Sequence, residues 1–182
     1  MDSRQQSWPR MWLMTDERMG ERLWEGADGL PAGAGIVVRH YSLSPESREA
    51  LARRLAEVAR TRAVTLSVAR DVELARRCEA QLVHNPVGNP GEIPFSRAVH
   101  SFEEAKGARA ERAALVFVSP VLPTRSHPGS PALGVRHAAK IAGAAGAPAI
   151  ALGGVNKENF AELESAGFYG WAAIDAWLAV RT

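Results

Sequence analysis

Eight short apolar runs recur along the chain, at residues 11–15, 35–39, 63–68, 80–84, 96–99, 115–119, 148–152 and 169–174. Helical patterns or turn-rich segments separate them. An apolar run without polar alternation, such as Gly35-Ile36-Val37-Val38, suits a strand buried on both faces of a parallel sheet. Eight such strands with intervening crossovers are the number that closes a β/α barrel. The expected fold class is therefore α/β, a compact (β/α)8 TIM barrel. The 182 residues fall below the roughly 200–250 common for that barrel, and two places account for the shortfall. Residues 26–35 carry Gly26, Gly29, Pro31, Gly33 and Gly35, and residues 85–94 carry three Pro and two Gly. Crossover helices one and four are expected to be shortened, the fourth to a loop.

The clearest helix spans 45–61. Ser44 is placed to cap it, Pro45 takes the first position and Glu46 lies in the first turn. Leu51, Leu55 and Val58 share one face, while Arg48, Arg53, Arg54 and Arg60 lie mostly off it, as a solvated face does. Further helices are expected at 71–78, 102–109, 131–144 and 157–165. Cys78 ends one of them and reads as a packed small side chain rather than a nucleophile. No composition break marks a second domain, so residues 1–182 are expected to form one barrel domain, with 1–9 as an N-terminal extension.

Charge and hydropathy exclude several classes. Lys+Arg number 22 and Asp+Glu 20, a net charge of +2 with both signs interspersed, which argues against a nucleic-acid partner. The longest small-apolar stretch, 141–152, is broken by Gly143, Gly146 and Pro148 and falls short of the ~20 residues that span a bilayer. The polar first ten residues lack the apolar centre of a signal peptide. A single cysteine excludes an internal disulfide framework and fits a reducing compartment, so the expected setting is cytoplasmic. Trp8, Trp24 and Trp171 are candidates for contacts in a homo-oligomer, with core packing as the alternative.

In a β/α barrel the site lies at the C-terminal strand ends. His40, His84, His100 and His127 all fall there. No pair has helix-type ligand spacing and no Cys partner is near, so no metal site is assigned to them. General acid/base work by one of them fits histidine's unperturbed pKa near 6.5 better. Gly153-Gly154, just past the seventh strand, are placed to offer backbone N–H groups to a phosphate, although paired glycines also serve ordinary turns.

Three motifs occur in order: Ala98-Val99-His100-Ser101-Phe102-Glu103-Glu104-Ala105, Ser119-Pro120-Val121-Leu122-Pro123-Thr124 and Ala151-Leu152-Gly153-Gly154-Val155. Together they resemble the thiamine phosphate synthase/TenI family. Leu13-Met14-Thr15-Asp16 is similar to its first strand and Leu82-Val83-His84 to its fourth. The resemblance covers the chain from Trp12 to Ala179 and implies a (β/α)8 barrel. It also implies one of two chemistries. The synthase joins an aminopyrimidine diphosphate to a thiazole phosphate and releases pyrophosphate with magnesium. TenI relatives isomerise a thiazole carboxylate phosphate, a histidine moving the proton.

Measured against the family pattern, the synthase motif of strand two keeps only Arg39, in Val37-Val38-Arg39-His40-Tyr41. The Asn-Asp pair after strand three falls on Ala69 and Arg70, and a cationic Arg70 cannot supply an oxygen to magnesium. The second carboxylate falls near Asn89, and the strand-five Ser is Ala98. The Thr-x-Thr-Lys segment reads Thr124-Arg125-Ser126-His127. Where the family places a phosphate-binding Ser after strand eight stands Asp175, expected to cap the last helix and to repel an anion.

The resemblance thus implies a thiamine-biosynthesis protein binding a thiazole phosphate or thiamine phosphate, TenI-like rather than a standard synthase. His100 is the expected acid/base. Arg39, Arg70, Thr124, Ser126, His127, Gly153 and Gly154 are the expected substrate and phosphate contacts, and Arg70 could partly replace a missing cation. The alternatives are a synthase, with magnesium as cofactor only in that case and Asp16 as one candidate ligand, or a non-catalytic regulatory paralogue that binds without turnover.

Overall fold

Each apolar run becomes one strand of a closed parallel barrel. The computed structural model describes residues 7–124 and 131–178. Strands β1 (Met11–Met14), β2 (Gly35–Val38), β3 (Thr65–Ala69), β4 (Leu82–His84), β5 (Phe95–Val99), β6 (Leu115–Val118), β7 (Ala149–Leu152) and β8 (Gly170–Ala173) pair in sequence order, and β8 returns to β1. Each lies within two residues of its expected bounds. Around them run α1 (Arg22–Asp28), α2 (Pro45–Thr61), α3 (Val72–Arg77), α4 (Phe102–Ala110), α5 (Val135–Ala145) and α6 (Phe160–Ser165). Short 3₁₀ turns follow β1 (Glu17–Met19) and β8 (Asp175–Trp177). The first crossover helix has only seven residues, and the crossover between β4 and β5 contains no helix, as its prolines dictate.

Aromatic and aliphatic side chains fill the barrel rather than leaving a pore. Trp12 meets Phe117 edge to face at 5.6 Å, and Phe117 meets His84 the same way at 5.1 Å, a geometry that the ring quadrupoles favour. The β1–β2 register sets Trp12 opposite Gly35. A Cβ on residue 35 would lie 2.2 Å from Trp12 Cε3, so glycine there makes room for the indole.

Helix α2 starts as its sequence indicates, the Ser44 hydroxyl accepting from the Ser47 amide. Its inward line is Ala52, Leu55 and Ala59, with Leu51 and Val58 only partly buried. The alanines let the helix lie close on the sheet. Helix α5 begins four residues later than Pro131 suggests. Leu133 and Gly134 instead donate their amides to Pro120 and Val121 carbonyls, which holds that segment against the loop after β6. Helix α6 also starts late, because Asn156 and Asn159 each accept the other's backbone amide and close a separate turn.

Of the three tryptophans considered for oligomer contacts, Trp171 is buried and stacks on Trp177 at 4.9 Å. Trp24 is covered by the Arg54 guanidinium, 3.6 Å from the ring centroid. Both rings are used within the chain. Cys78 is buried, and burial raises its thiol pKa. No described helix is long and apolar enough to cross a membrane.

Candidate active site at the barrel mouth

The loops after β5, β6, β7 and β8 enclose a cavity of about 550 Å³, with Arg39 reaching in from β2. Five expected site residues meet on its wall: Arg39, His100, Thr124, Gly153 and Gly154. Sequence reasoning missed Ser119 and Asn156 on the same wall. Ser119 was readable as the residue just past β6, which the strand-end rule itself places at the mouth. Arg70 is not on this wall. Ser126 and His127 lie outside the described residues.

Arg39 is held rather than free to swing. Its backbone amide donates to Thr15 Oγ1 at 2.9 Å, its Nε donates to the Thr15 carbonyl at 2.9 Å, and Nη2 donates to Asp16 Oδ2 at 2.8 Å. Arg18 Nε donates to the other Asp16 oxygen at 2.6 Å. Burial alone would raise the Asp16 carboxyl pKa, but the Arg18 hydrogen bonds and the charges of Arg18 and Arg39 bring it below the ordinary value. The charge of Asp175 acts on Arg18 in turn. Asp175, Arg18, Asp16 and Arg39 thus alternate in sign around the β8–β1–β2 rim.

Asp175 lines the cavity, but it does not cap the last helix as expected. The 3₁₀ turn starts at Asp175 itself, Ile174 occupies the cap position, and no side-chain cap bond forms. The final turn begins one residue earlier than a cap at 175 requires. A carboxylate on the ligand wall remains, with Arg18 offsetting part of its charge.

His100 follows β5 on the cavity wall with its side chain half exposed. Its backbone amide donates to Glu104 Oε2, and the Ser101 hydroxyl accepts from the Glu104 amide. This variant of a capping box anchors the start of α4 and fixes the backbone from which the imidazole projects. The imidazole Nδ1 stands 4.0 Å from Glu104 Oε2, beyond hydrogen-bond range.

Gly153 and Gly154 have φ of +94° and +65°. A Cβ on Gly153 would come 2.9 Å from Pro120 Cα, and one on Gly154 would come 2.4 Å from the Pro123 carbonyl oxygen. The pair therefore lets the β7 loop press against the β6 loop, a packing role beside any contact with ligand.

Two of the histidines assigned to strand ends belong to the core. His40 is buried with Nδ1 3.0 Å from Thr15 Oγ1. Burial lowers its pKa despite opposing charges from Glu17 and Asp16. His84 sits inside the barrel, Nδ1 3.0 Å from Ser96 Oγ. Burial first, then the charges of Arg39 and Arg97, lower its pKa to about 3, so it stays neutral and takes no part in the mouth.

Among the described residues, those at the β1–β4 ends do not fit a magnesium ion. Magnesium calls for oxygen donors, carboxylates foremost. At the β1–β3 ends these are Asp16, held between two guanidiniums, and Asp71. The latter caps the Leu74 amide and lies 3.5 Å from Arg48 Nη1. Nearby, Asn85 and Asn89 spend their side-chain oxygens on the amides of Ala98 and Gly91. Among the described residues no three His, Cys, Asp or Glu side chains gather as a metal site.

Comparison with known proteins gives a consistent picture. The sequence profile described as thiamine monophosphate synthase matches residues 94–177. A thiamine-phosphate synthase of Geobacillus thermodenitrificans is 32% identical, over 74% of this chain and 66% of its own. That of Acidothermus cellulolyticus is 29% identical, over 87% and 82%. The solved thiamine phosphate pyrophosphorylase of Pyrococcus furiosus superposes with a TM-score of 0.77 at 23% identity, covering 92% of this chain and 86% of the other.

Proposed function

Since the chain belongs to the thiamine phosphate synthase/TenI family, we propose that it acts in thiamine biosynthesis on a thiazole phosphate held at the barrel mouth, as a TenI-like tautomerase. The observation that carries this reading is the half-exposed His100 imidazole on a cavity wall shared with the fixed Arg39 guanidinium. Tautomerisation moves one proton between two positions of the same molecule and needs no leaving group. An imidazole within reach can accept that proton and return it. Arg39, anchored through Nε and Nη2, keeps its other donors for an anionic substituent. Thr124 and the Gly153-Gly154 backbone on the facing loops are the contacts for the phosphate.

The decisive measurement is turnover of the thiazole tautomer by the wild type and by His100→Ala. A loss of roughly 10²-fold or more, the scale of a single acid/base group, is expected. Equal rates would end the role of His100. The names of the relatives favour a second reading, synthesis of thiamine phosphate from the two precursors. It predicts pyrophosphate release, and no product at high enzyme concentration would remove it.

A further inference from the structure

Six non-glycine residues among those described have a positive φ, and they form two sets of three. Ala63, Glu79 and Arg112 each follow the C-cap of a helix, where a left-handed residue is the usual ending. His40 (φ 26°), Arg70 (φ 70°) and Asn85 (φ 48°) stand instead just past β2, β3 and β4, in a conformation that a Cβ disfavours. Each turns its side chain to a partner within the chain. Arg70 lies over the Tyr41 ring, 5.3 Å from the centroid, and Asn85 accepts from the Ala98 amide at 2.8 Å. His40 turns to Thr15, and Thr15 is what holds Arg39.

Thr15 is fully buried and ties Arg39 at two points. Its hydroxyl oxygen accepts the Arg39 backbone amide and its carbonyl accepts Nε, both at 2.9 Å. Its own amide donates to the Val37 carbonyl at 3.0 Å, which fixes the peptide beside β2. The hydroxyl still has one proton to place. His40 Nδ1 lies 3.0 Å away and meets it in one of two ways. With a proton on Nδ1, the oxygen would accept twice and its own proton would be buried without an acceptor, a costly arrangement. With Nδ1 bare, the nitrogen accepts that proton and both groups are satisfied. Burial favours the neutral ring, and the charges of Arg39 and Arg48 act the same way against those of Glu17 and Asp16. A neutral imidazole has one bare nitrogen, and the geometry calls for it at Nδ1.

We propose that His40 is a positioning residue for Arg39: held as the Nε2–H tautomer, it accepts the Thr15 hydroxyl proton and so fixes the oxygen that anchors the arginine. The role rests on reading the mouth as a thiazole site with Arg39 against an anionic substituent, and adds the buried pair that sets that arginine. Neither Thr15 nor His40 is on the cavity wall, so both act through Arg39. A residue that merely closed the turn would need no acceptor, since glycine takes a positive φ freely. A strained backbone carrying a buried polar ring marks a position kept for what the ring does.

The first readout is nitrogen NMR of the imidazole ring in the intact protein. A bare Nδ1 on His40 is expected, and a protonated Nδ1 would overturn the role. The second is solvent exchange of the Arg39 Nε–H, which needs no ligand. His40→Leu removes the acceptor and should speed that exchange about fivefold, the worth of one hydrogen bond. His40→Asn sets an amide oxygen near the place of Nδ1 and suits a positive φ, so it should exchange as the wild type does. An unchanged rate in His40→Leu, or equal acceleration in both variants, would overturn the role. The third is kinetic, with the thiazole tautomer as substrate. His40→Leu should raise KM about fivefold at unchanged kcat, because Arg39 holds substrate and transition state alike. A fall in kcat at unchanged KM would count against a role through Arg39. If the wild type shows the expected NMR behaviour and no turnover, the proposed function fails and the role of His40 stands. If turnover needs His100 while Arg39 exchange ignores His40, the proposed function stands and the role of His40 fails.

Discussion

A histidine sealed inside a barrel makes stability depend on pH in a defined direction. Above pH 6.5, His84 is neutral whether the chain is folded or not. As pH falls from 6.5 toward about 3, the unfolded chain takes a proton that the folded His84 refuses. Stability then drops by up to about 1.4 kcal/mol per pH unit. His40, lowered in the same direction, adds to the loss, whereas the lowered pKa of Asp16 acts only below its ordinary value of 3.8. Urea titrations between pH 7 and 4.5 should show this slope, and His84→Gln should flatten it. An unchanged slope in that variant would mean that His84 protonates in the folded state. This residue also marks where sequence reasoning stopped. The strand-end rule correctly placed His100 on the cavity, but it put His84 at the mouth as well. Which way a strand-end side chain turns depends on barrel closure and on Phe117, thirty-three positions later.

At the level of elements, apolar runs were legible because parallel strands are buried on both faces and need no polar alternation. Helix starts were legible only where the signal is local. Ser44 and Pro45 open α2 as written in the sequence, but Pro131 does not open α5, because amide bonds to the β6 loop outrank the local preference. The Arg70–Tyr41 stack joins two loops twenty-nine residues apart and leaves no periodic trace. The pairing of β1 with β2 gives a sharp test at this scale. In Gly35→Ala, the new methyl meets the Trp12 ring, and overpacking of this kind costs about 1–3 kcal/mol. Adding Trp12→Phe should recover part of it, a coupling between neighbours that a double-mutant cycle in urea reads directly. Additive losses would mean that the backbone, not the indole, resists the methyl.

Across the whole molecule, a net charge of +2 provides little long-range attraction for an anion. An anion at the mouth would therefore meet a few arginines already held in place, Arg39 by Asp16 and Arg48 by Asp71. The proline-rich crossover between β4 and β5 has a wider consequence. Those strands share only two registered pairs, Val83 with Phe95 and His84 with Ser96, and no helix covers the join. The buried side chains divide near the same place, one group gathered mainly from β1–β4 and the other mainly from β5–β8. The barrel has a built-in seam. A backbone cut at the exposed Gly88-Asn89 step should leave two half-barrels that reassociate when co-expressed, recovering the intact protein's circular dichroism and its ligand affinity. A cut within β2 should not. Failure of the first pair to reassemble would show that the ring folds only as one continuous piece.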